Sequence, residues 1–165
     1  MIVVVMGVSG SGKTTLGRRL AARLGYAFID ADDHHPKENV AKMAAGVPLD
    51  DADRWPWLDS LNALLRAPAH DVVLACSALK QAYRARLCRG IDDIRLVYLK
   101  GSIEQIRTRL AERRHRYMPA SLLESQFAAL EPPDEAITVD VAELPDACIE
   151  TVLAALRASS ARPGA

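Results

Sequence analysis

The chain has 165 residues, half of them hydrophobic and a quarter charged, with 21 basic residues balanced by 21 acidic ones. That length makes one domain, which buries roughly 70% of its unfolded surface and needs no metal or disulfide staple. The even charge balance excludes the electrostatic footprint of a nucleic-acid or anionic-membrane binder and leaves a small ligand as the default partner.

Cys76, Cys88 and Cys148 are scattered, odd in number and outside any metal-type pairing, which points to a reducing compartment. The apolar run from Met1 to Met6 is too short to span a bilayer, and no charged segment precedes it, so a soluble cytoplasmic protein is expected.

In chain order, apolar runs of strand length alternate with stretches of helical period, the pattern of an α/β domain with a mainly parallel sheet. Residues 2–6 form the first strand. Leu16, Leu20 and Leu24 mark one face of a helix that Gly25 ends, and a second strand follows at 26–29. Residues 71–76 and 94–99 are the next strands, and 136–141 the fifth. Ser102-Ile103-Glu104-Gln105 has capping-box spacing; the helix it opens buries Ile103, Ile106 and Leu110 and carries Arg107, Arg109, Arg113 and Arg114 on its other side. Leu144, Cys148, Val152 and Leu156 define a last amphipathic helix. Residues 1–158 therefore read as one domain and 159–165 as a flexible tail.

Gly7-Val8-Ser9-Gly10-Ser11-Gly12-Lys13-Thr14 matches the P-loop pattern directly between the first strand and the first helix. Its glycines let successive N–H groups turn toward a polyphosphate at the positive end of a helix. Lys13 then reaches the β- and γ-phosphates of ATP, Thr14 is placed to ligand Mg²⁺, and Thr15 completes the nucleotide contacts. The pattern establishes triphosphate binding without separating a kinase from a GTPase or a regulatory switch.

The second strand runs into Asp30-Ala31-Asp32-Asp33, at the strand end where open α/β sheets bind ligands. If the extended geometry persists, Asp30 and Asp32 face the same side, one for the magnesium shell and one to take the proton of an attacking hydroxyl. Asp33 points away and suits a cap for a helix beginning near Pro36. The arginine-rich stretch at about 107–120 reads either as a lid closing over nucleotide, with Arg109 and Arg113 as nucleotide contacts, or as a solvated basic face.

Taken together, these residues resemble the gluconokinases of the shikimate-kinase-like P-loop kinases. The resemblance runs through the phosphate loop, Asp30-Ala31-Asp32-Asp33-His34-His35-Pro36, Ala41-Lys42-Met43, Asp53-Arg54, Pro56-Trp57-Leu58, Ala75-Cys76-Ser77-Ala78-Leu79-Lys80, Tyr83-Arg84, Met118-Pro119 and Ser125-Gln126. It implies a three-layer P-loop kinase fold, a five-stranded parallel sheet flanked by helices with a mobile lid, acting on gluconate with ATP and Mg²⁺ as a homodimer. It further implies Asp32 as the base, Asp30 near the metal, and Arg54 as the guanidinium clamp on the substrate carboxylate. His35, Lys42, Ser77 and Arg84 are further candidates for gluconate's hydroxyls or carboxylate. Two positions depart from the family pattern: Arg116-Tyr117 in the lid, and Ala31 in place of a glycine. The alternatives are a kinase of the same fold acting on another sugar acid or on shikimate, and a nucleotide-binding switch module.

Overall fold

The computed structural model describes residues 1–67, 71–112 and 120–160. Its strands are β1 (Ile2–Met6), β2 (Ala27–Asp30), β3 (Val72–Ala75), β4 (Ile94–Lys100) and β5 (Ile137–Asp140). Its helices are α1 (Lys13–Leu24), α2 (Lys37–Ala44), α3 (Asp51–Arg66), α4 (Gln81–Leu87), α5 (Ile103–Glu112), α6 (Ala120–Ala129) and α7 (Pro145–Ser160). All pairings are parallel, in the order β2-β3-β1-β4-β5. This is the three-layer α/β architecture expected from the sequence.

The run Ile-Val-Val-Val-Met of β1 is buried at every position, as a central parallel strand covered on both faces must be. Side-chain alternation divides the core. Val3, Val5, Val73, Val97 and Leu99 face α1, α5, α6 and α7, meeting Leu16, Leu20, Ile106, Leu123 and Val152. Ile2, Val4, Met6, Leu74 and Tyr98 face α3 and α4, meeting Trp57, Leu58, Leu61, Tyr83 and Leu87.

From β1 the chain crosses to β2 on one side of the sheet, whereas from β3 it crosses back over β1 to β4 on the other. The carboxyl ends of β1 and β3 therefore flank a crevice at the switch point, where open α/β sheets bind ligands. The loops leaving these two strands touch there: the Gly7 N–H donates to the Ser77 carbonyl at 3.4 Å.

Three local expectations change. The second strand is shifted by one residue, so Asp30 is its last member and not the first loop residue. Leu144 precedes α7 and is 77% exposed; the buried face of that helix is Cys148, Ile149, Val152, Leu153 and Leu156, because the element begins at Pro145. The extended geometry also stops at Asp30, where residues Ala31–His34 coil into a 3₁₀ turn. The Ser102 capping box forms as read: the Gln105 N–H donates to Ser102 Oγ at 3.2 Å and the Ser102 N–H to Gln105 Oε1 at 2.7 Å. Of the expected tail, residues 161–165 lie outside the described residues, as do 113–119 of the expected lid.

A second capping box opens α3, with the Asp53 N–H donating to Asp50 Oδ1 at 2.8 Å and the Asp50 N–H to Asp53 Oδ2 at 3.1 Å. From the interior of α3, Trp57 donates Nε1–H to the Ala31 carbonyl at 2.9 Å, pinning the turn that carries Asp32. Trp57→Phe leaves that carbonyl buried without its donor. The expected result is a loss of about 1–3 kcal/mol in urea unfolding, with the midpoint lowered and the denaturant slope unchanged.

Candidate active site

The phosphate loop wraps a pocket of about 250 Å³ lined by Ser9, Gly10, Gly12, Lys13, Thr14, Thr15 and Asp32. Gly10 and Gly12 adopt left-handed backbone at φ 83° and 103°. At Gly10 space also matters, since a Cβ there would lie 2.9 Å from Leu110; at Gly12 the conformation alone excludes a side chain. Lys13 Nζ donates to the Val8 carbonyl at 3.0 Å, folding its stem across the loop. The α1 N-terminus has no side-chain cap, and the positive end of a helix favours an anion there.

Asp30 and Asp32 reach this pocket by different routes. Asp30 Oδ2 accepts from Thr14 Oγ1 at 2.8 Å, placing a carboxylate and a hydroxyl together at the start of α1. Its Oδ1 accepts from the Asp32 N–H at 3.2 Å and so caps the 3₁₀ turn. That cap swings Asp32 into the pocket wall with 60% of its side chain exposed. Asp32 thus lines the pocket because of a turn, with Asp30 behind it on Thr14, where strand alternation had been expected to bring both carboxylates to one side.

Behind Asp32 stands His35. Its side chain is 3% exposed, with Nε2 3.9 Å from Asp32 Oδ1, and its ring stacks on Trp57 with centroids 4.0 Å apart. Asn39 Nδ2 donates to the Asp53 carbonyl at 2.9 Å and lies 3.3 Å from His35 Nδ1. A donor at Nδ1 requires that nitrogen to accept, so the neutral ring carries its proton on Nε2, toward Asp32. Burial pushes the His35 pKa down, against the raising effect of Asp32 and with the lowering effect of Arg54.

A second, larger cleft of about 520 Å³ lies between α3, α4 and α6 and is lined by residues including Asp51, Arg54, Lys80, Tyr83, Ser125 and Gln126. Arg54 and Lys80 approach the Tyr83 ring, at 5.4 and 5.3 Å from its centroid. Lys80 donates to Asp51 at 2.8 Å, and the Tyr83 hydroxyl also donates to Asp51. Among the described residues, no carboxylate lies within ion-pair distance of Arg54. Cys76 is fully buried just beyond the end of β3. Burial pushes its pKa up to about 12; Asp32 raises it further, and Lys13 and Arg54 lower it. The thiol is inert packing, yet the charges acting on it come from both cavities.

A third, small cavity of about 70 Å³ shares Gly12 and Thr15 with the phosphate pocket and adds Leu16, Leu99, Val141 and Cys148. Arg109 forms one wall, donating to the Ser11 carbonyl at 3.5 Å and to that of Val141.

A family model described as an AAA domain matches residues 2–133. The chain is 47% identical over 162 residues to a probable gluconokinase of Xenopus tropicalis, covering 86% of this chain and 85% of that one. It is 43% identical to the thermosensitive gluconokinase of Escherichia coli K12, covering 92% and 87%. A crystal structure of a gluconokinase from Sinorhizobium meliloti 1021 superposes with a TM-score of 0.88 at 42% identity, covering 94% and 90%. The chain belongs to the gluconokinase family of P-loop kinases.

Within this family framework the expected site residues separate. Gly7, Val8, Ser9, Gly10, Ser11, Gly12, Lys13, Thr14 and Thr15 form the loop and the first turn of α1; Asp30 and Asp32 join it, and Arg54 lines the neighbouring cleft. Lys42 and Arg84, expected at the substrate, line neither cavity. Lys42 is held by both Asp53 oxygens at 2.7 and 2.8 Å. Arg84 is buried and donates to the Ala78 and Leu79 carbonyls at 3.0 and 2.9 Å, which steadies Ala78 in left-handed backbone at φ 43°. Ser77 meets Gly7 through its carbonyl. Arg113 and Arg116-Tyr117 lie outside the described residues.

Asp51, Lys80, Tyr83 and Gln126 were absent from the candidate set. All four sit within or among the segments that carry the family resemblance, but no spacing rule connects α3, α4 and α6, so only folding brings them to one cleft.

The His35 environment has a pH signature. Because its folded pKa lies below the ordinary 6.5, acidification below that value protonates the unfolded chain first. This contribution is complete above pH 6.5 and is lost as pH falls toward the folded value. His35→Gln should flatten the part of the curve of unfolding free energy against pH that lies just below pH 6.5, while an unaltered slope there would assign the titration to other groups.

Proposed function

We propose that the chain transfers the γ-phosphoryl group of ATP to the 6-hydroxyl of D-gluconate, giving 6-phospho-D-gluconate and ADP. The observation that carries this reading is the pairing of a phosphate-loop pocket lined by Lys13 and Asp32 with a cleft lined by Arg54, in a chain of the gluconokinase family. One cavity has the donors for a triphosphate, and the next has a guanidinium with no acidic partner among the described residues. A small polyhydroxylated carboxylate fits that second environment.

The loop N–H groups and Lys13 hold the β- and γ-phosphates. The acceptor oxygen attacks the γ-phosphorus, the bond to the β–γ bridging oxygen breaks, and Asp32 takes the hydroxyl proton. His35 supports Asp32 from behind in its neutral Nε2–H form. Thr14 and Asp30 are hard oxygen donors beside the phosphate pocket, a set that would hold magnesium. Magnesium supplies neutralisation of charge on the phosphate oxygens.

Arg54 is the carboxylate ligand, by its bidentate fork. Lys80, Tyr83 and Asp51 present donors and acceptors for the sugar hydroxyls. The purine is assigned to the small apolar cavity beside Gly12 and Thr15, with Arg109 on its wall. The family resemblance extends the proposal to a homodimer acting in the cytoplasm. Among the described residues no helix is long and apolar enough to cross a membrane.

Coupled ADP release with Mg·ATP against gluconate, other aldonic acids, shikimate, AMP and water tests the reading; turnover with gluconate is the expected result, and preference for another acceptor would move the assignment. Asp32→Asn should keep nucleotide affinity while lowering kcat by about 10²–10⁴-fold. Arg54→Lys keeps the charge but loses the fork, so the gluconate KM should rise by about tenfold or more, the equivalent of about 1.4 kcal/mol, with the ATP KM little changed. An unchanged gluconate KM would place the carboxylate elsewhere.

A further inference from the structure

One side chain joins the linings of the two cavities. Gln126 lines the acceptor cleft with Leu122 and Ser125 of the same helix, and its amide turns toward Ser9, which lines the phosphate pocket. The Ser9 N–H donates to Gln126 Oε1 at 2.7 Å, and Gln126 Nε2 donates to Ser9 Oγ at 3.0 Å. A glutamine amide has one acceptor end and one donor end, so this double contact fixes its plane as well as its position.

The partners are 117 residues apart, so the contact exists only because α6 packs against the phosphate loop. Loop N–H groups are what a P-loop offers to polyphosphate, and the one at Ser9 is committed to a residue of the other cavity. A ligand filling the cleft presses on the residue that orients Ser9, and a nucleotide that draws the loop inward pulls on the wall of the cleft.

We propose that Gln126 is a positioning residue coupling occupancy of the acceptor cleft to the conformation of the phosphate loop, so that acceptor and nucleotide each tighten the binding of the other. The proposal rests on the reading of the function given above. Linkage requires the two enhancements to be equal, and couplings of this kind are about 5–150-fold. The coupling also favours nucleotide engagement when an acceptor is present to receive the phosphoryl group in place of water.

The test titrates a nonhydrolysable Mg·ATP analogue into the full chain with and without saturating gluconate. In the wild type, gluconate should tighten the analogue within that range; in Gln126→Leu the ratio should collapse toward one. Gln126→Glu can still accept from the Ser9 N–H, with the Ser9 hydroxyl now donating back. It should retain the coupling ratio while binding the analogue more weakly in both titrations, because of its charge. Thermal melting checks that each variant folds, and Gln126→Met, of similar volume and without either hydrogen bond, replaces the Leu variant if that one does not. A wild-type ratio retained in Leu or Met, or a wild-type ratio of one in an enzyme that phosphorylates gluconate, overturns the proposal. A wild type that neither binds nor phosphorylates gluconate overturns the functional reading, and this inference with it.

Discussion

The N-terminus of α1, which opens on Gly12 without a side-chain cap, is the constraint on which the rest of the site depends. A helix end without a side-chain cap leaves donors that must be met by solvent or by an anion. Here Gly12 occupies the capping position in left-handed backbone, so no side chain intrudes. β1 aims this terminus. It is buried on both faces and paired with β3 and β4, which leaves it little freedom to shift or tilt, and the loop it feeds emerges at the switch point of the sheet.

Around that fixed point, the buried side chains of Asn39, Asn62 and Arg84 serve the loops. Asn39 ties His35 to the Asp53 carbonyl, Arg84 holds the Ala78–Leu79 turn, and Asn62 donates to the Leu87 and Arg89 carbonyls at 2.8 and 2.9 Å. Trp57 adds its indole bond to Ala31. A buried carbonyl left without a donor costs about 1–3 kcal/mol, so each of these bonds resists displacement of a turn that borders the crevice or steadies the helices behind it. The left-handed Ala78 is held in this way by Arg84. Without glycine at that position, the conformation depends on its surroundings to persist.

Among the described residues, charge pairing separates several cations from Arg54. Lys42 is bound to Asp53, Lys80 to Asp51 and Arg86 to Asp59, the last through two bonds of 2.7 and 2.6 Å. Arg54 lies over the Tyr83 face, 5.4 Å from its centroid, with no carboxylate within ion-pair distance among the described residues. A guanidinium in that position is attracted to the ring yet keeps its fork open to a planar anion. Counting basic residues along the chain would have ranked Lys42, Arg54 and Arg84 alike; their partners separate them.

The sequence by itself determined the strand-loop-helix of the phosphate site, the strand alternation that yields a parallel sheet, and the family. Each of these is written in contiguous residues with a fixed period or spacing: the glycines and Lys13, the buried β1 run, the Ser102 capping box. Tertiary structure alone decided how Asp32 arrives at the pocket, because the 3₁₀ turn depends on a cap by Asp30 and an indole from α3. It also decided that Lys42 and Arg84 serve the scaffold, and that Asp51, Lys80, Tyr83 and Gln126 converge on one cleft. Those outcomes depend on contacts between residues far apart in the chain, and local period and spacing carry no information about which distant partner a side chain will meet.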